Sequence, residues 1–252
     1  CAVFLAADLF NLYVWFELML IAMLGLMTLG GKPMHAEAAF KYFVLSMLGT
    51  LLMLTAVGLL YAATGHLNFA ALREAARLPA LTGAVPGYVA LLALAVLLKA
   101  GAFPLFAWLP ASYHTLPAPL LALVGGLLTK VAAYVLLRLL GDVFVATPAA
   151  LLGALGWLAA ATMVIGVLGA AYHWDVRRIL AFHIVSQIGY LLLGIALASP
   201  AAAAGTAFFL VHNILVKANL FLIAGLMCAA AGHYDLRRIG GLYPARPLLA
   251  LL

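Results

Sequence analysis

The chain has 252 residues, of which 68% are hydrophobic and only 8% are charged. A soluble domain carries about 25% charged residues, so these few side chains cannot cover a water-facing surface of this size, and the chain reads as an integral membrane protein. Its formal charge of +6 fits Lys- and Arg-rich loops on one side of a membrane better than nucleic acid, and Cys1 and Cys228 form neither a CxxC motif nor a disulfide framework.

Lipid offers no partner for a free backbone N–H or C=O, so apolar blocks must be helices or the strands of a closed barrel. Barrel strands alternate over about ten residues, and these blocks do not alternate. The expectation is an all-α polytopic bundle with complete spans at roughly 9–29, 38–64, 85–108, 117–140, 149–172, 177–198 and 203–230. Cys1–Ala7 reads as the tail of a helix already under way and Pro247–Leu252 as the first turns of another. Residues 1–252 are therefore expected to be one transmembrane domain cut at both ends.

The first span, LFNLYVWFELMLIAMLGLM, carries Glu17 near its middle. A charge at mid-bilayer costs about 2.5–3.5 kcal/mol, and a carboxylate stem is too short to reach the headgroups, so Glu17 is a functional candidate. Asp8, at the start of the span, suits an N-cap. Gly30-Gly31-Lys32-Pro33 ends it. The second span holds no strong candidate, because Lys41 lies near its start and can snorkel. In the stretch His66–Ala84, Leu67, Ala71, Leu72 and Ala75 share a helical face, with Arg73, Glu74 and Arg77 between them. A short interfacial helix and a polar loop both fit.

In the third span Lys99 is followed by Gly101, Pro104 and Pro110. Proline lacks a backbone donor and clashes with the preceding turn, so a helix break between Lys99 and Pro110 is expected. Freed carbonyls at membrane depth need protein or a wet cavity around them; the plainer alternative is a kink that eases packing. A buried lysine can hold or release a proton. A contact with Glu17 would favour both charges, so making and breaking it would switch Lys99.

The fourth span places Lys130 at its centre, with Gly125 and Gly126 one turn earlier to admit a neighbouring helix. Arg138 lies near the end and can snorkel. The fifth span carries no candidate. The sixth contains His183 with Ser186 and Gln187. Ser199-Pro200 separates it from the seventh, which holds His212 and Lys217 beside Asn213 and Asn219. A histidine suits proton relay, whereas polar groups also glue helices together. His35, His66, His114, His173 and His233 fall in loops or at helix ends and are assigned nothing.

Glu17, Lys99, Lys130, His183, His212 and Lys217 thus form a row of lone ionisable residues on several helices. Such a row suits proton transfer along the membrane plane and fits a bulky organic substrate poorly. No P-loop, no G-x-G-x-x-G after a strand, no H-E-x-x-H and no haem-spaced histidine pair is present, so no cofactor or metal site is expected. Lys32, Lys41, Arg177, Arg178, Arg237, Arg238 and Arg246 gather on one side, against Arg73, Arg77 and Arg138 on the other. The richer side, with loops 30–37, 173–176 and 231–247, is expected to be cytoplasmic.

The runs DLFNLYVWFELMLIA (8–22), FPLFAWLPASYHTLPAP (103–119), GLLTKVAAYVLLR (126–138), RRILAFHIVSQIGYLLLG (177–194) and HNILVKANLFLIAG (212–225) resemble the proton-translocating, antiporter-like membrane subunits. That superfamily includes large subunits of NADH–quinone oxidoreductase, related hydrogenase subunits and the Mrp-type multisubunit sodium/proton antiporters. The resemblance covers essentially the whole chain. DLFNLYVWFELMLIA, WLPASYH and FHIVSQIGY look most like the D-type Mrp subunits.

The resemblance implies a fold of inverted repeats, each with a broken helix, here present as 1–140 and 149–252. It matches Glu17 to the family's glutamate, Lys99 to the lysine on the broken helix and Lys130 to the lysine of the next helix. His212 and Lys217 match the polar positions of a later one. Two departures stand out: many relatives carry a second histidine where this chain has Asn213, and the chain ends before the second broken helix. The implied function is proton translocation in an exchanger of protons for sodium or another monovalent cation. Its setting would be a prokaryotic plasma membrane, among other membrane subunits, with no enzymatic chemistry of its own. An oxidoreductase or hydrogenase subunit, and a structural subunit whose charges serve assembly, are the alternatives.

Overall fold

Asp8 opens the bundle. Its carboxylate accepts hydrogen bonds from the backbone N–H groups of Phe10 and Asn11 and caps α2 (Leu9–Thr28), which follows the single turn α1 (Ala2–Leu5). A proline in the first turn starts α3 (Pro33–Thr64), where a missing N–H removes no helical bond. The structure, a computed structural model, describes residues 2–77, 84–145, 147–245 and 247. Cys1, Arg246 and the helix start expected over Pro247–Leu252 therefore lie wholly or mainly outside the described residues.

The stretch after α3 forms α4 (Phe69–Ala75), capped by Asn68 and burying Phe69, Leu72 and Ala75. Of the two readings of His66–Ala84, the short helix is the one seen; residues 78–83 are outside the described set. The third expected span is divided as Lys99, Gly101 and the prolines suggest. α5 (Val85–Ala100) stops at Gly101, which takes a left-handed φ of 75° that a side chain would disfavour, and α6 (Trp108–Tyr113) begins after an irregular turn. The break is sealed by protein: the Trp108 indole N–H donates to the Leu98 carbonyl at 3.1 Å, and the Thr162 hydroxyl accepts from the Phe103 N–H at 3.0 Å.

α7 (Ala118–Arg138) runs into a π-helical turn, Leu139–Val143. α8 (Ala149–Tyr172), α9 (Val176–Ala196) and α10 (Pro200–Ala231) follow, then a 3₁₀ turn (Leu236–Arg238) and α11 (Leu242–Ala245). Among the described residues, six helices are long and apolar enough to cross a bilayer. At about 1.5 Å per residue, α5 reaches only roughly 24 Å, short of a ~30 Å hydrocarbon core. The break and α6 continue its path. Leu18, Ile21, Leu51, Val167, Leu168 and Leu215 stand exposed around the bundle, an outer face suited to lipid.

Neighbouring spans run antiparallel and close where side chains are small. A Cβ on Gly166 of α8 would overlap the Ser186 backbone of α9, and one on Gly126 of α7 would meet the Ile214 carbonyl of α10 at 3.3 Å. Two short bridges also recur. The Leu9 and Phe69 N–H groups donate to Leu67 and Ala7, tying Asp8 to Asn68; the Val176 and Leu236 N–H groups donate to Tyr234 and Trp174, tying Asp175 to Asp235. Each bridge spans 60 residues and encloses a 32-residue helix that begins at a proline and ends on a left-handed glycine, α3 in one case and α10 in the other. Since successive spans alternate in direction, the two units run in opposite senses. The architecture is an all-α, inverted-repeat transmembrane bundle.

Candidate functional site

Lys99 occupies the last turn of α5, immediately before the break, and is 7% exposed. Its ammonium donates to the Thr50 hydroxyl at 2.7 Å and, more weakly, to the Ser46 carbonyl at 3.4 Å, both on α3. It also lies 5.3 Å from the centre of the Phe16 ring. A cavity of about 10 Å³ beside it, reaching Leu128 on α7, has room for about one water.

Glu17, next to Phe16 on α2, is half-buried. One of its carboxylate oxygens is enclosed without a hydrogen-bond partner. The two side chains form no ion pair in this structure: Lys99 is held by α3 instead.

Lys130 and Lys217 are both completely enclosed, at 0% exposure. Lys130 donates to the Gly125 carbonyl of its own helix at 2.6 Å. Lys217, on α10, is hydrogen-bonded to His183 Nδ1 on α9. α7 and α10 pack closely at this level, where Gly126 meets the Ile214 carbonyl and Ala218, so Lys130 and Lys217 are enclosed at one helix–helix contact. The row thus falls into two groups: Glu17 and Lys99 among α2, α3 and α5, and Lys130, Lys217 and His183 among α7, α9 and α10.

A set of neutral polar groups lines the second group. The Thr129 hydroxyl, the Gln187 carbonyl oxygen and both amide atoms of Asn213 are enclosed without hydrogen-bond partners. Helix registers bring them together. His183 against Lys217 and Gly194 against Thr206 set the α9–α10 register and place Gln187 opposite Asn213. Ala118 against Gly225 and Gly126 against Ile214 and Ala218 set the α7–α10 register and place Thr129 level with Asn213. Orphaned polar atoms at one depth are where ordered water is retained.

His212 is not in this cluster. It lies exposed on the opposite side of α10, stacked on Phe208 with ring centres 6.4 Å apart. Residues 212 and 217 are about 140° apart around a helix, whereas 213 and 217 share a face. The group that joins Lys217 is His183, and Asn213, 1% exposed, takes the inward place one turn away.

The family model described as "NADH:quinone oxidoreductase/Mrp antiporter, TM" matches residues 6–252. The chain belongs to this family. Among other members, it is 39% identical over 246 residues to the D-type component of the Na(+)/H(+) antiporter of Bacillus subtilis (strain 168), covering 98% of this chain and 50% of that protein. It is 40% identical over 247 residues to the counterpart of the same name from Alkalihalophilus pseudofirmus, with the same coverage.

The structure matches one chain of the Mrp complex from Dietzia sp. DQ12-45-1b with a TM-score of 0.92 and 36% identity, covering 99% of this chain and 47% of that one. It also matches a chain of the membrane-bound sulfane sulfur reductase, an archaeal respiratory membrane complex, with a TM-score of 0.88 and 27% identity, covering 98% of this chain and 50% of that one. The chain spans about half the length of these curated relatives.

Thr129 carries no signal in the sequence, and Asn213 and Gln187 read there only as companions of charged residues. A threonine inside GLLTK looks like a helix-compatible filler. Only its registry against α9 and α10 shows it beside two other unsatisfied groups.

Proposed function

We propose that this chain forms part of one component of a multisubunit antiporter that exchanges sodium, or another monovalent cation, for protons, and that it carries protons sideways through the membrane interior. Residues 1–140 and 149–252 are then portions of two inverted repeats. The matched Asp8–Asn68 and Asp175–Asp235 bridges support that division. The observation that carries the reading is the pair of fully enclosed lysines, Lys130 and Lys217, the second bonded to His183, in a bundle whose outer face is apolar. Lysines held at 0% exposure cost stability, and proteins keep such intramembrane groups for ion pathways.

In this reading, protons reach Lys99 or Lys130, Glu17 modulates release from Lys99, and Lys130 passes charge to Lys217 and His183. Water held by Thr129, Gln187 and Asn213 would bridge the gaps. The gradient or a partner subunit supplies the energy. His212 remains as a surface residue that a neighbouring segment or subunit would have to cover before it joined the route. The setting is a prokaryotic plasma membrane, with loops 30–37, 173–176 and 231–247 cytoplasmic and other membrane subunits as partners. The antiporter reading is preferred to a respiratory one because the 39% and 40% identical relatives are named as antiporter subunits, whereas the respiratory-complex likeness is at 27%.

The test uses the full-length protein in its complete complex, reconstituted in vesicles. Glu17→Ala and Lys99→Ala are expected to assemble and to exchange sodium for protons much more slowly than wild type. If both assembled and exchanged at the wild-type rate, the proton-path reading would be wrong and the charges would be left with an assembly role.

A further inference from the structure

Where the irregular turn before α6 meets the ends of α8 and α9, the structure opens a crevice of about 320 Å³. None of the proton-row residues lines it. Its walls include Lys41 of α3, His114 after α6, His173 after α8, Arg178 of α9, and the rings of Phe106 and Phe182. Four basic side chains from four parts of the chain converge there, and no acid lines it.

The nearby acids are already engaged. Glu37 is ion-paired with Lys41, and Asp175 with Arg177 at 2.8 Å. Arg178 makes no ion pair with any described residue, so its guanidinium, with five donors suited to planar oxyanions, is unmatched.

The two histidines share one arrangement. His114 Nδ1 lies 3.0 Å from the Pro110 carbonyl, and His173 Nδ1 lies 2.8 Å from the Gly169 carbonyl. A carbonyl only accepts, so Nδ1 carries the proton in each ring and Nε2 remains free. An anion in the crevice would draw a proton onto Nε2 of His114 and make that nitrogen a second donor. Burial first, and then Arg178 and Arg177, hold His114 below the ordinary histidine range; the Pro110 hydrogen bond and Asp175 act the other way. The local field is positive, which repels a sodium ion and attracts an anion.

The floor is apolar. Phe182 stacks on His173 with ring centres 5.0 Å apart and meets Phe106 edge-on at 6.2 Å. A basic rim above an aromatic floor, on the side of the bundle where Lys and Arg gather, suits an amphiphile with an acidic head.

We propose that this crevice binds a phosphate-bearing anion, either the headgroup of an acidic phospholipid or free phosphate, through Arg178 and Lys41 with His114 and His173 as added donors. An occupant would join α3, α6 and α9 across the broken helix and brace the turn that follows Lys99. The proposal does not depend on the antiporter reading.

The test is native mass spectrometry of the full-length protein in its complex, titrated separately with phosphatidylglycerol, phosphatidylcholine and inorganic phosphate. Phosphatidylglycerol or phosphate is expected to bind in preference to phosphatidylcholine. Arg178→Gln should weaken that binding about fivefold, the effect of about one cation at a membrane surface. Arg178→Lys should keep most of it, and Arg238→Gln, on the exposed 3₁₀ turn, should change nothing. Binding should tighten only as the pH falls below the ordinary histidine range, where a proton on His114 adds a donor and a charge; Lys41, Arg177 and Arg178 outnumber Glu37 and Asp175 around it and hold that step low.

If inorganic phosphate binds as tightly as the lipid and displaces it, the source is free phosphate; if it does neither, the source is lipid. Equal binding of phosphatidylglycerol and phosphatidylcholine, with no phosphate binding, overturns the proposal, as does an Arg178→Gln protein that binds like wild type. Should Arg178→Gln fail to assemble, Lys41→Gln carries the same test, since that side chain is half-exposed and its loss leaves the helix core intact.

Discussion

His212 and Lys217 look alike in the sequence, two polar residues five apart in one apolar run, yet they face opposite ways. Lys217 is enclosed and bonded to His183, whereas His212 stacks on Phe208 at the surface. Lys217→Ala is therefore expected to slow proton-coupled exchange about a hundredfold, the low end of what loss of an acid–base group costs. His212→Ala should leave the rate within about twofold of wild type, on the same general acid–base scale. Rates from vesicles loaded with a pH-sensitive dye would read both, and equal losses would place His212 in the route.

Asp235 supports a prediction of a different kind. Its hydrogen bond to Arg237 holds the carboxyl down at about 2, below its ordinary 3.8. A lowered carboxyl stabilises the fold above its unfolded value, and that contribution is lost as pH falls toward the folded value. Asp235→Asn should therefore flatten the acid limb of a pH-denaturation curve between about pH 4 and 2 while keeping the cap, since Asn68 already plays that part at the matching bridge. An unchanged acid limb would show that the ion pair contributes nothing.

At the scale of the helix, hydropathy and punctuation were enough. A block of some twenty apolar residues has to be a helix in lipid, because only a helix satisfies its own backbone. A lysine followed by Gly101 and two prolines has to stop one, and α5 ends at Ala100. The division of the 66–84 stretch was less legible, since Leu67, Ala71, Leu72 and Ala75 fit a helix or a covered loop until Asn68 is seen to cap α4.

Packing between helices was not legible. Gly166 looks like any small residue in α8, but a Cβ there would overlap the Ser186 backbone. Gly166→Ala should destabilise the protein by about 1–3 kcal/mol, the usual range for overpacking. A detergent-denaturation midpoint would measure it. Gly153→Ala, with open space around it, serves as the control and should be neutral.

For the whole molecule, the row of charges divides into two groups, one among α2, α3 and α5 and the other among α7, α9 and α10. That division makes a quantitative expectation. Lys130 and Lys217 are enclosed where α7 and α10 pack closely, so the effects of Lys130→Ala and Lys217→Ala on exchange rate should be strongly non-additive. Lys99 lies over the ring of Phe16, the residue before Glu17, so Lys99→Ala and Glu17→Ala should be coupled in the same way. Double-mutant cycles in the reconstituted complex would measure both pairs. Simple additivity within either pair would mean that its members act independently.

The sequence by itself determined that the chain is a helical membrane bundle, roughly where its long helices lie, that one of them breaks after Lys99, and that Glu17, Lys99, Lys130 and Lys217 fall within apolar blocks. Each of these follows from local terms: the transfer of side chains and backbone into lipid, and the backbone limits of glycine and proline. The tertiary structure alone decided that Lys99 rests on Thr50 rather than on Glu17, that His183 and not His212 meets Lys217, that Thr129, Gln187 and Asn213 share a level, and that four basic groups ring a crevice. Those outcomes depend on which face of each helix turns toward which neighbour, and that is set by small-residue contacts far apart in the chain, to which hydropathy is blind.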